Sequence, residues 1–177
     1  MDKARQARPH LDPDRTTPLG TLRYAIEFYA AAIATDDAIG DMPGHEAIAP
    51  ITVNYLIGHA IELGFKAYLL HCRVPLDHIK NKIGHRLVQA RDEAMALGLG
   101  SHFQPKAEWG DVLEVLNDLY SDKQFEYIET GSKLFPIFGP LQGYAAGLLR
   151  AVAGVVPSGA LLLRENHKPG AILAKAP

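Results

Sequence analysis

Apolar residues along the chain fall into five stretches of helical period, separated by glycines and prolines. Leu22, Ile26, Tyr29 and Ile33 recur every three to four residues with Arg23 and Glu27 between them, and Gly40, Pro43 and Gly44 stop the run. This predicts a helix over residues 21–39. Pro50 is suited to the first position of a second helix. Its stripe runs through Val53, Ile57, Ala60, Ile61, Gly64, Phe65 and Tyr68 before Pro75 ends it. Ala60 and Gly64 lie one turn apart and strip bulk from one face, so the first or the last helix should pack closely there.

A third helix is expected over 85–97, with Leu87, Ala90, Ala94 and Leu97 inward, Arg86, Arg91, Asp92 and Glu93 toward water, and Gly98 and Gly100 closing it. A fourth over 107–121 carries Trp109, Val112, Leu113, Leu116 and Leu119. An irregular stretch with Phe125, Tyr127, Phe135 and Phe138 follows. Pro140 opens a fifth through 156, with Leu141, Tyr144, Leu148, Val152 and Val155 on one side. No strand alternation with matched turns and no repeat interrupts this pattern. The expected fold is all-α, an up-and-down bundle of about five helices over 21–156. Residues 1–20, polar and holding three prolines, form an N-terminal arm, and 157–177 a tail whose pattern decides nothing.

Composition narrows the classes. A length of 177 residues with 47% apolar and 21% charged positions is enough to build one core without metal or disulfide. Eighteen Lys and Arg against twenty Asp and Glu give no overall field for a polyanion, so any nucleic-acid contact needs a local basic patch. The one cysteine, Cys72, has no disulfide partner and no neighbouring thiolates, and reads as a small buried hydrophobe. Residues 151–163 are too short and too broken by Pro157, Ser158 and Gly159 to span a bilayer, so no membrane partner is expected. Residues 1–15 are charged and hold Pro9 and Pro13, unlike a signal peptide, and a cytoplasmic location is the expectation.

Polar residues with chemical potential concentrate between the second and third helices: Glu62, Lys66, Arg73, His78 and His85. Glu62 and Lys66 stand four apart with the acid first, the favourable order for a helical ion pair. They nevertheless occur in the most apolar helix. Either they form a solvated pair at the stripe's edge or a partly buried network that anchors the following loop. His85, after Gly84 at a helix start, can bond free backbone N–H groups or reach the Glu62 carboxylate across the bundle.

Residues 62–70 (ELGFKAYLL), a loop, then Gly84-His85-Arg86-Leu87 and 94–99 (AMALGL) resemble the central region of HEPN-like bundles. Phe125-Glu126-Tyr127 resembles their aromatic turn before the last helix. The resemblance covers about two-thirds of the chain. It implies an all-helical, often dimeric fold, a nucleotide or RNA ligand, no cofactor, and a nucleotidyltransferase-type partner protein. In the catalytic branch of that family, metal-independent ribonucleases carry Arg, four to six residues, then His. Arg73 and His78 fit that spacing, although Val74 and Pro75 depart from a polar, helical presentation. There His would serve as general base and acid, and Arg would offset phosphate charge. The reading drawn from these residues is a non-enzymatic nucleotide- or partner-binding module, with Glu62, Lys66 and His85 as its polar cluster and a homodimer as its assembly. The alternative is a ribonuclease using Arg73 and His78.

A metal-binding hydrolase is a further alternative, because His59 lies three residues before Glu62 on one helical face and His45 or His85 could complete a ligand set. The di-iron pattern needs Glu-x-x-His on two helices, whereas only the reversed His59-x-x-Glu62 occurs, once. Seven tyrosines fall on or beside helical stripes without interleaved basic residues, which favours core packing over base stacking.

Overall fold

The structure, a computed structural model, describes residues 15–45, 48–109, 111–125, 127 and 133–164. Among them there is no strand, and seven α-helices are present. α1 spans Pro18–Ile39, α2 Ile51–His71, α3 Leu76–His78, α4 Leu87–Ala96, α5 Val112–Tyr120, α6 Phe138–Val155 and α7 Gly159–Leu162. α1 packs along α2, which also meets α4, α5 and α6. α2 is therefore the central element, and Ile57, Ile61, Phe65 and Leu69 on it are fully buried.

The five expected helices are all present, with shifted ends. α1 starts three residues earlier than its apolar period, taking residues 18–20 out of the expected arm. Thr17 caps it, its hydroxyl oxygen accepting from Gly20 N at 3.1 Å, and Pro18 occupies the first turn where no donor is needed. Residues 1–14 lie outside the described residues. Pro50 is the residue before α2 and not its first, with an extended ψ of 145°. Asn54, fully buried, turns back on that start and donates from Nδ2 to the carbonyls of Ala49 at 3.0 Å and Pro50 at 3.3 Å.

Gly64 meets α6, as one of the two expected partners. A Cβ there would lie 2.8 Å from Leu149 Cδ2, so the absence of a side chain sets the spacing of the two helices.

Two segments depart more. Residues 73–84 are not a plain turn: after Arg73, which takes a left-handed φ of 64°, the chain forms α3 and continues into a π-helical turn, Ile79–Ile83. Ile79 and Ile83 are buried there, so one face of the connection is anchored. The expected fourth helix is split into a 3-10 turn, Ala107–Trp109, and α5, and Gly110 in the sequence between them is a poor helix former. Arg91, expected toward water, is mostly covered and pairs with Glu114, tying α4 to α5. Beyond Val155 the chain forms α7, so part of the expected tail is ordered helix. Residues 165–177 lie outside the described residues. No helix among the described residues is long and apolar enough to cross a membrane.

Candidate functional site: a buried carboxylate and its polar partners

Glu62 faces inward on the middle of α2 and is 2% exposed, one of two buried polar side chains among the described residues, the other being Asn54. A carboxylate in such a place must be paired and hydrogen-bonded, or it will take up a proton. Both oxygens of Glu62 are engaged. Oε1 meets the Lys66 ammonium at 2.5 Å, one helical turn along. Oε2 accepts from the Tyr120 hydroxyl at 2.6 Å and from His85 Nδ1 at 3.0 Å. His59 Nδ1 lies 3.7 Å from that oxygen and makes its hydrogen bond, at 2.8 Å, to the Tyr120 hydroxyl. His85 therefore touches the carboxylate directly, while His59 reaches it through Tyr120.

Burial pushes the Glu62 carboxyl upward, but the contacts from His59, Lys66 and Tyr120 outweigh it and hold the group well below the usual carboxylate range. An ionised Glu62 fixes the protons around it. A carboxylate only accepts, so Tyr120 must donate its single hydroxyl proton to Oε2, and His85 must donate from Nδ1. With its proton spent, the Tyr120 oxygen can only accept from His59, so His59 also carries its proton on Nδ1. Both imidazoles are thereby required to carry hydrogen on Nδ1, so that in the neutral form each is the same tautomer with its lone pair on Nε2.

Packing holds this arrangement. The His59 ring stands edge-on to Phe28 at 4.4 Å between centroids and lies parallel to Tyr55 at 6.3 Å. Tyr120 ends α5 against Gly58 of α2, where a Cβ would come within 2.7 Å of the tyrosine ring. α2 thus supplies the acid, the ammonium and one imidazole, α5 the phenol, and the chain just before α4 the second imidazole.

His85 is the exposed end of the network. Its side chain is 45% accessible, and it lines a small open depression with Tyr55, Tyr120, Lys123 and Phe125. Lys123 takes a left-handed φ of 56°, a conformation a lysine rarely adopts, in the turn after α5.

The expected cluster of Glu62, Lys66 and His85 is brought together, and His85 bonds the carboxylate rather than helix N–H groups because α4 begins two residues later. Arg73 and His78 are placed differently. The His78 Nε2 bonds Glu93 Oε2 at 2.9 Å on the surface, and no hydrogen bond or ion pair joins it to Arg73 among the described residues. No group of three or more His, Cys, Asp or Glu among the described residues is placed to hold a metal ion, and His59 turns its Nδ1 to Tyr120 instead.

Tyr120, Tyr55, Lys123 and Phe125 were not singled out by sequence as parts of one site. Tyr120 sits on the apolar stripe of α5 and its ring is indeed core. Only its hydroxyl belongs to the network, and nothing in the helical period marks that.

The chain matches no family model, no curated protein and no solved structure.

Proposed function

We propose that this chain is a HEPN-like helical bundle that acts as a binding module for a nucleotide, an RNA or a partner protein, and not as an enzyme. One observation carries the reading. A fully engaged, ionised Glu62 holds His85 in one orientation and one tautomer at the edge of an open depression flanked by Tyr55, Phe125 and Lys123. Such an arrangement offers a directional polar group, a cation and aromatic surface in one place, as recognition sites do. Besides His85 the depression is lined by two phenols, the Lys123 ammonium and the Phe125 ring. A nucleoside monophosphate titrated into isotopically labelled protein should therefore shift the resonances of His85, Tyr55 and Phe125. Shifts confined to other parts of the bundle would count against the site.

The ribonuclease alternative rests on Arg73 and His78, and their surroundings speak for an ordinary surface pair, since His78 is engaged by Glu93 on α4. Single-stranded RNA should show no cleavage above background. Cleavage lost in both Arg73→Ala and His78→Ala would replace the binding reading with the catalytic one.

A homodimer belongs to the same proposal. The wide apolar faces of α1, α2 and α6 are largely covered within one chain, with Ala30 and Ala32 buried but Ala31 and Ala34 exposed. Among the apolar side chains left more than half exposed are Tyr24 on α1, Leu134 and Ile137 ahead of α6, and Leu161 on α7, and α1, α6 and α7 touch one another. A two-fold contact there should bury about 1,200 Å² or more in total. Light scattering at micromolar concentration should give twice the chain mass, 19.3 kDa. A monomer would remove the dimer from the account.

A further inference from the structure

We propose that the depression beside His85 receives the phosphoryl group of a phosphate monoester, held between the protonated imidazole of His85 and the ammonium of Lys123. This deepens the binding reading above and rests on it.

The size of the site comes first. The enclosed part of the depression has room for about one water, so a ligand enters by one small terminal group and keeps the rest in solvent. A phosphoryl oxygen has that size, whereas a nucleobase does not. Stacking on Tyr55 and Phe125 is left to whatever the phosphoryl group carries.

The charge of the chain leading to His85 comes second. The connection before His85 carries Arg73, Lys80 and Lys82 against a single acid, Asp77, Arg86 follows His85, and all four cations are exposed. Lys123 faces the same depression from the turn after α5. In a chain of net charge −2 the connection is therefore a locally cationic segment. Arg86 hydrogen-bonds the Ile83 carbonyl through Nε.

The chemistry of His85 comes third. Its Nδ1–H is committed to Glu62, and Nε2 has no protein partner among the described residues. Neutral, Nε2 offers a lone pair, which repels a phosphate oxygen. Protonated, it becomes a charged donor beside Lys123. The groups facing the imidazole are Glu62, with Lys66 already neutralising it, His59 through Tyr120, the Tyr120 phenol, Tyr55 and Lys123. Since Glu62 and Lys66 cancel, an anion that arrives is the uncompensated negative charge, and it favours protonated His85. Anion binding and proton uptake at His85 must then promote one another equally. Phosphate monoesters suit this coupling, because their second ionisation near pH 6 overlaps the ordinary imidazole range.

The test follows His85 in the full chain by nuclear magnetic resonance, titrating its ring carbon against pH with no ligand, with inorganic phosphate, with phenyl phosphate and with uridine. Phosphate and phenyl phosphate at saturation should each raise the His85 pKa by about one unit, the equivalent of about tenfold tighter binding to the protonated form. The His78 titration, beside Glu93, should stay in place. Lys123→Asn, which keeps a residue tolerant of the left-handed turn, should weaken phenyl phosphate several-fold, and His85→Gln should abolish the coupling. Phenyl phosphate binding more tightly than phosphate would place its ring on Tyr55 and Phe125. Phosphates that leave His85 unmoved overturn the proposal. If uridine then moves it, the site still binds a ligand, but not through phosphate. If neither does, the binding reading falls with it.

Discussion

Glu62→Gln should cost the fold about 3 kcal/mol at neutral pH, because removing one partner of a buried charged network leaves the other without compensation. The amide is nearly the same size as the carboxylate, so the loss reports charge and hydrogen bonding and not a cavity. Lys66, only 16% exposed, would lose its counter-charge, and the amide can no longer accept on both sides from Lys66, Tyr120 and His85. For a chain of this length that corresponds to a fall in Tm of about 6–12 °C. The effect should also depend on pH in a fixed direction. The Glu62 carboxyl is lowered in the fold relative to the unfolded chain, so its contribution is present above the unfolded value, about 4.5, and is lost progressively as pH falls below it. Urea unfolding of wild type and variant should therefore differ most at neutral pH and converge in acid. A constant difference across that range would show that Glu62 contributes by shape and not by charge.

Gly58 should be nearly as intolerant. Its missing side chain admits the Tyr120 ring, with Cδ2 and Cε2 at 2.7 and 2.9 Å from where a Cβ would stand. A flexible neighbour could withdraw, but this ring is buried, tethered through its hydroxyl to Glu62 and His59, and flanked by Tyr55 and Phe125 at 6.3 Å. Gly58→Ala gains about 1 kcal/mol of helix propensity and loses more to overpacking, for a net loss of about 1 kcal/mol. Gly58→Val, larger and stiff at χ1, should lose about 3 kcal/mol. Against a Tyr120→Ala background the clash disappears, and Gly58→Ala should become neutral or stabilising. A Gly58→Ala protein more stable than wild type would mean that Tyr120 is free to move and the network is looser than described.

Helices were readable in the sequence where the apolar stripe was long. α2 and α6 follow their stripes closely because burial on one side is what makes those residues helical. The start of α1 was also written, in Thr17-Pro18, but as capping chemistry outside the apolar period. The π turn at Ile79–Ile83 has no such mark: Pro75 signals an ending, and the turn that follows depends on Ile79 and Ile83 finding the core. In the site, Glu62 and Lys66 were readable as a pair from their spacing, and His85 from the Gly84-His85 helix approach. Tyr120 was not, since its hydroxyl meets a residue 58 positions away and its ring obeys the same period as Leu116 and Leu119. Arg73 and His78 show the converse. Their spacing alone suggested a motif, and the fold gives one a left-handed turn and the other a surface acid.

An ionised Glu62 fixes the protons of its neighbours. Long-range proton–nitrogen correlation of the histidine rings at neutral pH reads those protons directly. His59 and His85 should both carry hydrogen on Nδ1, the less common site in a free neutral imidazole. His85 carrying its hydrogen on Nε2 would contradict the account, because Nδ1 could then not donate to Glu62 and the carboxyl would have to be the donor.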